Sequence, residues 1–151
     1  MLSIVALFLR CNTTECGVAD PYCLAMVLCD NVHRDRGSGK FTLLGTFSTF
    51  AAREFPAQVN FCIYFAITDG LGDLSLWMRI VDANHGIDDE SVPLFESPHT
   101  NTNFESPLVV MEGVMQIVTN LPEAGLYHCE LYANQELLMS RRLVALQIEG
   151  A

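Results

Sequence analysis

From Met26 onward, apolar and polar side chains alternate with a period of two, the signature of strands with one buried face. The segment MVLCDNVHRDRGSGKFTLLGTFSTF, residues 26–50, holds two apolar runs separated by the polar turn 34–40, the layout of a hairpin. Next, Val59, Phe61, Ile63, Phe65 and Ile67 share one face of a strand. Leu74, Leu76, Met78 and Ile80 share one face of another, with Asp69-Gly70-Leu71-Gly72-Asp73 as the turn between them. Both faces are assigned to the core, and the two strands are read as a pair. After a turn at Asn84-His85-Gly86, the stretch 87–107 is polar and carries Pro93, Pro98 and Pro107, which predicts a long loop or a short edge strand.

Strand character returns over 108–121, where Gly113 predicts a bulge or a bend. Tyr127, Cys129, Leu131 and Ala133 alternate in the following strand. Asn134-Gln135 sits where a two-residue turn belongs, although Gln is a poorer second residue than Gly. Residues 136–148 complete that hairpin, with Arg141-Arg142 interrupting the alternation. No sustained 3.6-residue apolar period with caps occurs, so the prediction is an all-β fold of about seven or eight antiparallel strands with little helix. Tyr127 follows the turn Pro122-Glu123-Ala124-Gly125 and precedes Cys129 by two residues. That spacing points to an immunoglobulin-like β-sandwich, in which a Tyr opening the penultimate strand turns its hydroxyl back onto the preceding corner. Tyr127 is therefore assigned a structural role.

The 151 residues are half apolar, enough for one domain with its own core. Residues 1–25 lack the pattern of the rest and are set apart as an N-terminal extension, with the β-sandwich domain at 26–151. The opening MLSIVALFLRC has no basic residue before its apolar run, which Arg10 interrupts, so it reads neither as a signal peptide nor as a membrane span. The sequon at Asn12 has no meaning without secretion.

Eight Lys plus Arg against a net charge of −10 argue against nucleic acid and anionic membranes as partners, since both require a basic field. Of the six cysteines, Cys29, Cys62 and Cys129 lie in apolar strand-like runs, where a thiol acts as a small buried hydrophobe. Cys11, Cys16 and Cys23 lack the short spacing of a zinc clip, and reduced thiols in a cytoplasm are the expectation.

Candidate chemistry is sparse. Asp30, His33, Arg34 and Asp35 form the densest polar cluster, but Asp30 and His33 fall on opposite faces of a strand, so a strand end and hairpin with paired surface charges is the reading. Asp82, Asp88, Asp89 and Glu90 gather around a turn without the spacing of a calcium loop. The four histidines stand near no nucleophile motif, and no glycine-rich phosphate loop opens a helix. No catalytic residue, metal site or cofactor is assigned.

The segments 26–50 and 121–146 carry a resemblance. Met26 followed by Leu28-Cys29-Asp30-x-Val32, and Pro122-x-x-Gly125-x-Tyr127 before the last hairpin, resemble an uncharacterised bacterial family of small β-sandwich proteins. The likeness runs from about Met26 to Glu149. It implies the fold and no activity; if its first motif marks a function, Cys29 and Asp30 are the positions concerned.

The functional expectation is a non-catalytic interaction module that self-associates or contacts another protein. The alternative is a jelly-roll-type ligand-binding protein or hydrolase, which requires a cavity with convergent polar groups. With Leu74 to Ile80 facing inward, alternation puts Trp77 and Arg79 outside, beside Tyr64 of the strand read as their neighbour. A lone outward Trp flanked by Tyr and Arg has the composition of an interface hot spot, so Tyr64, Trp77 and Arg79 are the candidate interface, unless the N-terminal extension or the long loop covers them.

Overall fold

A computed structural model describes residues 20–83 and 92–150. The opening apolar run with Asn12, Cys11 and Cys16, the turn at 84–86 with His85, and the acids Asp88, Asp89 and Glu90 lie outside the described residues. The described chain is all β, with ten strands in two sheets packed as a sandwich.

The first sheet is built from β1 (Tyr22–Arg34), β2 (Phe41–Thr46), β4 (Ala57–Thr68) and β8 (Met111–Leu121), in the antiparallel order β2-β1-β4-β8. The second runs β3-β10-β9-β5, from β3 (Thr49–Ala52), β10 (Glu136–Gln147), β9 (Gly125–Ala133) and β5 (Gly72–Asp82). Two short strands, β6 (Phe95–Glu96) and β7 (Thr100–Phe104), share the outer edge of β5. The stretch expected as loop or edge strand thus supplies two edge strands, with Pro98 between them where no ladder bond is needed.

The alternating faces meet between the sheets. Val59, Phe61, Ile63, Phe65 and Ile67 pack against Leu74, Leu76, Met78, Ile80, Cys129, Leu131 and Leu143, closed at the sandwich ends by Leu121 and Phe104. Phe104 lies over Gly70, where an added Cβ would fall 2.7 Å from the ring.

Several expectations need correction. β4 and β5 do not pair: β4 lies between β1 and β8, and β5 between β9 and the β6/β7 edge. The turn at 69–73 is an arch between sheets, opened by Asp69 at φ 59° and Gly72 at φ 73° and held by the Asp69 amide donating to the Pro107 carbonyl at 3.1 Å. Strand order is not wholly antiparallel, because β3 pairs parallel with β10. Strand structure starts upstream of Met26: β1 begins at Tyr22, Tyr22 and Cys23 pair with Thr68 and Ile67, and Cys23 is buried in the core. A register shift between Cys23 and Ala25 hides this strand start from a simple alternation count.

Gly113 marks neither bulge nor bend. The β4–β8 ladder is continuous through it, and it sits opposite Phe65, whose ring occupies the space a side chain would need. Gln135 is tolerated in the last hairpin because only Asn134 has a positive φ, 54°. Arg141 occupies an inward position at the open side of the sandwich and ties the sheets, its Nε donating to the Met26 carbonyl at 2.9 Å.

Candidate functional site

The outer face of the second sheet carries a stacked column. Trp77 on β5 lies opposite Tyr132 on β9, ring centroids 4.3 Å apart and planes 11° from parallel. On its other face His99, from the segment between β6 and β7, stacks at 4.9 Å and 9°. The indole Nε1 donates to the Asn134 carbonyl at 2.6 Å. Arg79 lies over the Tyr132 ring, 5.1 Å from its centroid, and its Nε donates to Glu130 at 2.7 Å. Glu130 also accepts from the Tyr132 hydroxyl at 2.7 Å. Burial, and next the hydrogen bond to Glu130, push the Tyr132 hydroxyl up to about 12.

This column satisfies itself. Both indole faces and the indole N–H are taken within the chain, so Trp77 does not present the free aromatic surface that a hot spot buries on binding. The long segment after β5 covers it through His99, the alternative raised by the sequence. His99 gave no signal there, since it lies among prolines and polar residues.

Tyr64 is on the other side of the molecule. It faces out from the first sheet, beside Val27 on β1 and Val114 on β8, so the structure does not bring Tyr64 to Trp77 and Arg79. Its hydroxyl donates to Glu112, and burial followed by that bond pushes it up to about 12. Phe41 packs on its ring at 5.6 Å.

Tyr127 behaves as expected. Fully buried, it donates its hydroxyl to the Glu123 carbonyl at 2.7 Å across the corner before β9. Cys29 is fully buried and lies opposite Cys62, its thiol directed at the Cys62 carbonyl at 3.7 Å. Burial, then Cys62 and Asp30, push the Cys29 thiol up. Asp30 is exposed and fills the space over Gly45, whose φ is 66°. The polar cluster after it forms a strand end and hairpin, but its bonds are not the expected charge pairs. Asp35 accepts from the Ser38 amide and hydroxyl, both at 2.6 Å, and Arg34 donates to the Gly39 carbonyl and lies over Phe41.

Two Ser–His contacts occur, Ser75 with His99 at 3.3 Å and Ser140 with His128 at 3.2 Å. Both are on exposed sheet surface, Ser75 at the rim of a shallow open depression it shares with Asp73, Asn101 and Asn134. A cleft of about 220 Å3 opens between β7 and β8, lined by Phe65, Leu76, Met78, Met111, Met115 and Leu131, with Thr100 and Thr102 at its polar side.

The strand above that cleft is the feature the sequence did not single out. β8 ends the first sheet; all eleven of its residues pair with β4, and no other described strand pairs with it. Long open edges invite pairing and are normally blunted by shortness, proline, bulges or lysine. The other edges are short: six residues in β2, four in β3, two in β6 and five in β7. β8 is about twice the usual strand length, holds no Pro, Lys or Arg, and has only Glu112 as a charge. Its outward side chains are Glu112, Val114, Gln116, Val118 and Asn120, with Val114 39% and Val118 50% exposed.

No helix among the described residues is long and apolar enough to cross a membrane. No curated protein matches the chain. A family does, over residues 24–145, which takes in eight of the ten strands whole, all but two residues each of β1 and β10, and both resemblance motifs. The chain belongs to this family of unknown function, DUF6941.

Proposed function

We propose that this protein is a non-catalytic protein-interaction module of the immunoglobulin-like kind, acting in a bacterial cytoplasm and binding its partner by strand addition at β8. The observation that carries the reading is the eleven-residue edge of β8, with which no other described strand pairs; near its end the Thr119 hydroxyl donates to the Leu94 carbonyl at 3.0 Å, from the segment before β6. An extended partner segment laid along it would gain main-chain hydrogen bonds, with Val114 and Val118 as side-chain contacts. The immunoglobulin-like part is supported by β1-β4-β8 facing β3-β10-β9-β5 and by the Tyr127 corner. The cytoplasmic part is supported by Cys23, Cys29 and Cys129 serving as buried free thiols.

The test is affinity capture from the native host with wild-type protein and with a Val114→Lys variant, which adds an edge-blocking charge at an exposed position. The reading expects a defined protein retained by the wild type and lost by the variant. Identical captures would remove β8 as the binding edge. A second reading, a small-ligand-binding protein or hydrolase, rests on the cleft beneath β8. That cleft is mainly apolar and smaller than the usual ligand site of about 300–1,000 Å3.

A further inference from the structure

Resting on the interaction reading above, we propose that the strand β8 adds is the β8 of a second copy of this chain, antiparallel about a two-fold axis at Gln116, so that two first sheets join into one continuous sheet. A two-fold pairs a strand with itself, so the residue at the axis faces its own copy and residues equally far on either side face each other. Gln116 is the middle residue of β8, five from Met111 and five from Leu121. This register therefore pairs the strand over its whole length.

The register also sorts the side chains. On the outer face Val114 meets the second copy's Val118, Glu112 meets Asn120, and Gln116 meets Gln116; the two apolar pairs flank an amide pair, and no charge faces a like charge. On the inner face Met115 meets Ile117 and Gly113 meets Thr119, which leaves room beside Phe65, the ring that already occupies the space over Gly113. Shifting the axis to Val114 or Val118 keeps the faces matched but carries one end of the pairing past the strand, where Leu121 would face Pro107 or Val114 would face Pro122, and the missing amide of a proline ends a ladder. The one acid on the strand is already engaged by the Tyr64 hydroxyl. Copies of net charge −10 nevertheless repel at a distance, so added salt should tighten the dimer.

The test is sedimentation equilibrium of the full chain over a concentration series at low and high salt, for wild type, V114K, V118E and V114K/V118E. The ammonium introduced by V114K would face neutral residues across the axis, and the carboxylate introduced by V118E would lie diagonal to the second copy's Glu112. In the double variant each new ammonium faces a new carboxylate of the other copy, and the net charge is unchanged. Within one chain the two positions are four residues apart on a strand, about 13 Å, too far to pair. The expected result is a reversible dimer, tighter at high salt, weakened about tenfold or more by each single change and restored to within about threefold of wild type in the double variant.

A wild type that stays monomeric throughout would overturn self-pairing, and the capture experiment would still decide whether β8 binds another protein. A dimer that ignores both single changes would move self-association off β8. A double variant no better than the worse single would overturn the register. Should a variant fail to melt cooperatively, the wild type alone decides: on concentrating it, the β8 amides facing away from β4 must become protected from hydrogen exchange, and unchanged exchange in a dimer overturns the proposal.

Discussion

Trp77 and Tyr132 are directly opposed on β5 and β9, with ring centroids 4.3 Å apart, and His99 closes the free face of the indole. The column belongs to the stability of the second sheet. Trp77 emission should therefore not move with protein concentration. His99→Ala should cost about 0.5–1.5 kcal/mol, the worth of one aromatic contact. Trp77→Ala should cost about 2–4 kcal/mol, because it removes both stacking contacts and the indole hydrogen bond to the Asn134 carbonyl. Denaturant midpoints check both; a dilution-dependent red shift would return Trp77 to the surface.

Tyr127→Phe should destabilise the fold by about 0.5–1.5 kcal/mol, since the hydroxyl bond to Glu123 is lost without a change of shape. An unchanged midpoint would show that the corner bond is replaced by water at no cost.

Burial pushes the Cys129 thiol from 9.0 to about 12, and the Tyr132 hydroxyl rises from 10.0 to about 12. A raised folded value means the native state holds protons that the unfolded chain has released. The stability these groups contribute is complete below pH 9 and is lost as pH rises toward 12. Unfolding free energies measured from pH 8 upward should fall over that window, and Cys129→Ala should flatten the early part of the fall. A flat profile in the wild type would contradict the buried-thiol assignment.

Gly113→Ala should cost about 1–3 kcal/mol by forcing Phe65 off its seat, and Phe65→Leu in the same chain should relieve part of that cost. Additive losses in thermal melts would mean the two residues do not share the space.

Chains that begin at Asp20 and at Met26 differ by the β1 start and the buried Cys23, so the shorter should be less stable by about 2–4 kcal/mol. Melts of the two truncated chains compare them directly.

The sequence made the inner faces legible because alternation reports burial strand by strand: every residue assigned inward on β4 and β5 is in the core. It did not reveal that the two strands belong to different sheets, since a hairpin and an arch place the same residues inward. Tyr64 and Trp77 were joined on that account. Tyr127 was readable because a corner is local, set by five residues from Pro122 to Leu126. The open edge of β8 was not, because an edge is defined by the strand that is missing, and Val114 and Val118 look like any outward pair until the sheet order is known.

Strand addition requires that edge to be open, and residue-resolved amide hydrogen exchange in dilute solution tests it most directly. In the monomer, β8 amides that donate to β4 should exchange slowly and those between them, facing away, should exchange fast, giving alternating protection from Met111 to Leu121. Uniform slow exchange along β8 in a protein that sediments as a monomer would mean the edge is already covered within the chain, and would contradict strand addition there.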